Sequence, residues 1–99
     1  MNTVYIGRDN ALVYTIKEGG AVADISAVTR MVVTVGTASV DSGSVNGVLD
    51  WTTTAGQLSI VAGLIGDLAA GHQTLRILAY APDWPDGVVL GEDLVNVAA

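Results

Sequence analysis

Thr29-Arg30-Met31-Val32-Val33-Thr34-Val35 is the stretch on which the reading of this chain turns. Met31, Val33 and Val35 fall on one side of a period-two pattern, and Arg30, Val32 and Thr34 on the other. Only an extended backbone places alternate side chains on opposite faces. Thr29, Val32, Val33, Thr34 and Val35 are β-branched, a chemistry that suits a pleated surface and loses rotamer freedom in a helix. A strand is the expectation.

Moving outward, the same rhythm recurs between turn signals. His72 to Ala81 alternates Leu75, Ile77 and Ala79 with Thr74, Arg76, Leu78 and Tyr80. Asn10 to Lys17 sets Leu12, Tyr14 and Ile16 against Ala11, Val13 and Thr15. Shorter strands are expected at Thr3–Ile6, Ala21–Ile25, Ala38–Asp41, Gly47–Thr52 and Gln57–Val61, with Val88–Val97 closing the chain after an interruption near Gly91. Glu18-Gly19-Gly20, Asp41-Ser42-Gly43-Ser44 and Thr53-Thr54-Ala55-Gly56 read as turns. Pro82-Asp83-Trp84-Pro85-Asp86-Gly87 reads as another, its prolines incompatible with a central strand.

Two segments depart from the rhythm. Ser26-Ala27-Val28 reads as a single helical turn with Asp24 or Ser26 as its cap. In Gly63–Gly71, Leu64, Ile65, Leu68 and Ala69 recur at helical spacing and Gly71 suits a helix end. About seven to nine strands in one 99-residue domain, residues 1–99, point to an all-β, immunoglobulin-like β-sandwich with one short helical segment. Apolar residues on both faces of some strands, near Val48 and Val61, imply strands that lie centrally or cover their second face with a partner.

Composition narrows the function. With 51% apolar and 14% charged residues the chain is expected to build a core rather than remain disordered. Four basic residues against ten acidic ones give a net charge of −6, which leaves no basic patch for nucleic acid or an anionic membrane. No cysteine is present, which excludes disulfides and thiolate metal sites. Met1-Asn2-Thr3-Val4-Tyr5 lacks the basic-then-apolar pattern of a signal peptide. The longest nearly apolar stretch, Leu58–Leu68, is interrupted by Ser59 and Asp67 and is about half a membrane span. A chain made and kept soluble in the cytoplasm of the producing cell is expected.

Catalytic patterns are sparse. His72 is the sole histidine, with no serine marked out as its partner, and Lys17 is the sole lysine, outside any phosphate-cradling glycine loop. Asp41 to Asp50 has the outline of a calcium loop, but Gly43 and Val45 occupy positions that need oxygen ligands. Neither an enzyme, a metal site nor a cofactor is expected. Trp51, on a strand, reads as a core residue. Trp84, between Pro82 and Pro85 and flanked by Asp83 and Asp86, is the candidate interaction residue, since a large aromatic on a rigid loop can anchor an interface. Its packing back over the end of the domain is the rival reading.

The order of segments resembles small immunoglobulin-like virion proteins of tailed bacteriophages, including the N-terminal module of upper baseplate proteins. The resemblance rests on Asp24-Ile25-Ser26 before the Thr29–Val35 strand and on Asp50-Trp51-Thr52-Thr53. It continues through Leu64–Gly71 and ends at Tyr80 with Pro85-Asp86-Gly87-Val88-Val89-Leu90-Gly91. It implies a non-enzymatic structural protein of the virion, present in several copies and docked on other virion proteins. The chain lacks the long C-terminal segment of the baseplate proteins, so a tail or baseplate adaptor and a capsid decoration protein stand side by side. A carbohydrate-binding or adhesion module, with Trp84, Asp83 and Asp86 as its platform, is the alternative.

Overall fold

The computed structural model describes residues 1–99 and contains ten strands and one 3-10 turn. The strands are β1 (Asn2–Tyr5), β2 (Leu12–Thr15), β3 (Lys17–Glu18), β4 (Ala21–Val22) and β5 (Arg30–Val35). They continue as β6 (Ala38–Asp41), β7 (Leu49–Asp50), β8 (Gln57–Ile60), β9 (Gly71–Ala81) and β10 (Trp84–Ala98). A five-stranded sheet runs β1-β10-β9-β5-β6, a three-stranded sheet runs β2-β8-β7, and β3-β4 is a separate hairpin.

The alternation in β5 does what its period dictates. Met31, Val33 and Val35 are buried, while Arg30 is exposed and Val32 and Thr34 half-exposed on the outer face. Leu75 and Ile77 of β9 and Val95 of β10 face the same way, opposite Leu58 and Ile60 of β8, and all belong to one apolar cluster. The fold is therefore all-β, with two sheets packed on a shared core that buries no polar or charged residue. No helix is long and apolar enough to cross a membrane.

Several expectations change. The expected strand Asn10–Lys17 divides at Ile16, whose N–H turns to Gly56 O (2.8 Å) while its carbonyl accepts from Ala23 N–H (2.9 Å). The expected Ala21–Ile25 and Gly47–Thr52 strands shrink to two residues each. The Ser26-Ala27-Val28 segment is a hydrogen-bonded turn, not a helix: Val28 N–H reaches Ile25 O (3.1 Å) and Asp24 Oδ1 accepts from Ser26 N–H (3.0 Å). The helical spacing in Gly63–Gly71 yields only the 3-10 turn Ala62–Leu64. Winding stops at Ile65, whose backbone is extended (φ −67°, ψ 130°), and Asp67, the one non-glycine residue at positive φ (65°), sits in the turn that follows.

The largest correction concerns Pro82–Gly87. Only Pro82-Asp83 forms the turn, and Trp84 already pairs with Ala81. Pairing then jumps to Val88 opposite Ala79, so Pro85-Asp86-Gly87 is a bulge in β10. β1 covers β10 only from Val95 to Ala98, leaving the edge at Pro85 without a second neighbour. A missing N–H costs no ladder bond there. Gly87 (φ 82°) is required because a Cβ would lie 2.8 Å from the Tyr80 ring.

Candidate functional site

The same geometry separates the three sequence candidates. Asp83, on the turn, and Asp86, in the bulge, are exposed, whereas Trp84 is half-buried and packs against the core. Trp84 also lines a furrow of about 370 Å³ whose opposite wall is Ile16 to Glu18. The indole is thus fixed by packing, while the two carboxylates stand in solvent.

The larger concavity lies elsewhere, around Trp51. A cleft of about 700 Å³ opens between residues 22–28 and 51–56. Trp51 follows β7, is half-buried, and donates its indole N–H to Val28 O (3.2 Å). That bond ties the two segments together from opposite sides of the cleft. Asp24, Ser26, Thr52 and Thr53 supply its polar lining. Beside it, Asp50 accepts from Thr52 N–H (3.0 Å) and Thr53 Oγ1–H (2.6 Å). These donors, the Thr53 hydroxyl foremost, hold the Asp50 carboxyl below the usual carboxylate range. Trp51 packs against the core, as expected of it, but the cleft beside it is not among the expectations from sequence. The available signal was a strand-end Trp followed by two threonines, with Asp24-Ile25-Ser26 able to fold over it.

The third surface is the outer face of the five-stranded sheet. Val32, Leu78 and Val89 are register neighbours across β5, β9 and β10, forming an apolar row. Two ion pairs flank it: Arg30 with Asp41, and Arg76 Nε with Glu92 Oε1 at 3.0 Å. The Arg30 guanidinium also lies 4.6 Å from the Tyr80 ring centroid, within cation–π range.

Asp41, first residue of the calcium-like stretch, is engaged in this network. Both its oxygens accept from Arg30, with Nε–Oδ1 at 2.9 Å, and Oδ1 also accepts from Gly43 N–H (2.9 Å). No group of three or more His, Cys, Asp or Glu side chains comes together as a metal-holding set. The Arg30 hydrogen bonds, aided by Gly43, lower the Asp41 pKa to about 2 from 3.8. A depressed carboxyl pKa stabilises the fold above its ordinary value and loses that contribution as pH falls through the lowered one. Urea midpoints should therefore drop between pH 4 and 2, and Asp41→Asn should flatten that drop. The share of Asp24 and Asp50, whose pKa values are also lowered, remains in the variant. An unchanged slope in Asp41→Asn would contradict the assignment.

His72, at the start of β9, is exposed and pairs in register with Asn96. Comparison with protein-family models, curated proteins and solved structures returns no match to this chain.

Proposed function

We propose that this chain is a non-enzymatic, immunoglobulin-like docking module, and that the body it docks on is the particle of a tailed bacteriophage. The strand order carries the first part. Immunoglobulin sandwiches set strands B, E and D side by side in one sheet and C, F and G in the other, with C′ added beside C in the variable type. Here β2-β8-β7 corresponds to B-E-D and β6-β5-β9-β10 to C′-C-F-G. A parallel first strand, β1, lies beside the last. Such sandwiches present sheet faces, edges and end loops to other proteins, and this one has an apolar row on one outer face. The phage setting is supported by the segment order from Asp24 to Gly91 noted above.

Within the particle, the module serves as a tail or baseplate adaptor or as a capsid decoration protein, in several copies. Cryo-electron microscopy of particles made with and without the gene tests this. Extra density of about 10 kDa per copy, present only with the gene, is the expected result. Identical particles, with the protein left in the soluble fraction, would remove the phage reading.

A second reading is favoured by the Trp51 cleft. An aromatic wall with the Ser26, Thr52 and Thr53 hydroxyls and the Asp24 carboxylate can take a sugar ring. This moves a carbohydrate-binding role from Trp84 to Trp51. A glycan-array signal abolished in Trp51→Ala and retained in Trp84→Ala would favour it over particle docking.

A further inference from the structure

We infer that the furrow between β2-β3 and β10 is a seat for an extended segment of a partner protein, which pairs its backbone with the open edge of β2. This deepens the docking reading and rests on it, but it does not depend on which body carries the partner.

The furrow lies between two strand edges with no neighbour. On one side, β2 pairs only with β8, and β3 only with β4. Ile16 between them turns its N–H to Gly56 and its carbonyl to Ala23, on that same paired side. The residues from Leu12 to Glu18 are thus satisfied along one edge and open along the other. Main-chain direction alternates along a strand, so with Ile16 turned inward, Val13 and Thr15 aim their N–H and C=O groups outward. Both side chains are exposed. On the far side, β10 from Trp84 to Leu94 pairs only with β9.

The floor between these edges is apolar. A hollow of about 200 Å³ at the Tyr14–Asp93 end is lined by Leu75, Ile77 and Leu90. The 370 Å³ furrow at the Trp84 end shares Ile16, Lys17 and Leu90 with it, so the two are continuous. Tyr14 O–H closes one end by donating to Asp93 Oδ2 (2.8 Å), and Trp84 closes the other.

Three features select the occupant. Open N–H and C=O groups in a row are matched by another extended backbone, with alternate side chains entering the floor. The two edges differ: β10 carries Pro85 and two register shifts, devices that blunt an edge, whereas β2 carries neither. Pairing is thus directed to β2, and β10 serves as the opposing wall. With Glu92 paired to Arg76, the charged lining is Lys17 against Glu18, Asp24 and Asp93, still acidic, so the seated segment carries Lys or Arg at its ends. In the B-E-D reading, the seat is where an immunoglobulin sheet has strand A beside B.

The test titrates the full chain, labelled with ¹⁵N, with a synthetic peptide of alternating Val and Thr flanked by lysines. A peptide of the same core flanked by glutamates is the control. Expected are shifts confined to residues 12–18 and 84–94, slowed exchange of the Val13 and Thr15 amides, and weaker binding of the glutamate peptide. Thr15→Pro removes an outward donor without a ladder bond, and Leu90→Lys sets a charge on the floor. Each should weaken the lysine peptide about tenfold or more, with the spectrum otherwise preserved. The inference is overturned by no binding, by shifts at Val32 and Leu78 on the outer sheet face or at residues 51–56 of the Trp51 cleft, or by undiminished binding in both variants. Particle docking that survives both variants would discard the furrow while leaving the docking module in place.

Discussion

Gly63→Ala is expected to destabilise the protein by about 3 kcal/mol, a drop in Tm of roughly 12 °C or more for a domain of this size. The reason is a backbone approach that leaves no room for a methyl group. A Cβ on Gly63 would lie 2.1 Å from Tyr5 O and 2.6 Å from Arg8 O. Both atoms are main-chain carbonyls, so relief requires moving the segment that follows β1. That segment is tied by Gly7 N–H to Gly63 O (2.7 Å) and Ile6 N–H to Ala98 O (2.9 Å). Shifting it would lift Val4, 2% exposed, from the core. Gly66→Ala is the control, because nothing lies within 4 Å of its Cβ position. Thermal unfolding of both variants decides the matter: equal Tm values would refute the close approach as the cause.

Leu58→Ala should cost about 2–5 kcal/mol, the range for deleting a fully buried leucine side chain. Leu58 is 0% exposed at the middle of β8 and belongs to the cluster that joins the two sheets. Its loss opens a cavity between them, and β8 cannot collapse inward because β2 and β7 hold it on both edges. Total stability of such a domain is about 5–15 kcal/mol, so this one change removes a large share. Val89→Ala, on the exposed outer face, should stay within about 0.5 kcal/mol. Urea unfolding with an unchanged slope and a lowered midpoint is the expected form. A Leu58→Ala midpoint equal to that of Val89→Ala would mean that the sheets are not packed through this residue.

These predictions draw on features of different visibility. β5 and β9 could be read from their residues because side-chain alternation is local and survives any arrangement of neighbours. The Gly63 contact could not: it depends on Tyr5 and Arg8, more than fifty positions away in sequence. The helical spacing in 63–71 was a true pattern with a different outcome. Ile65 is buried and Leu68 half-buried, yet neither reaches the core from a helix, since the backbone is already extended at Ile65 and left-handed at Asp67.

The sites divide in the same way. Trp84 was singled out for its prolines, and the structure places it at one end of a furrow. Its role as a wall follows from the bulge in β10, which pairing with β9 decides. Trp51 reads as a core residue and does pack against the core, while its place at the wall of a cleft goes with a hydrogen bond to Val28, 23 residues away.

By itself, the sequence determined the all-β class, through β-branched residues at period two and glycine-marked turns. Each is a property of single residues or of near neighbours. Only the tertiary structure decided which edges stay open. β1 runs parallel to β10 over Asn2–Tyr5 and Val95–Ala98, β10 from Trp84 to Leu94 pairs only with β9, and β2 pairs only with β8. Strand edges are satisfied by partners from anywhere in the chain, so their vacancy cannot be written in any local pattern.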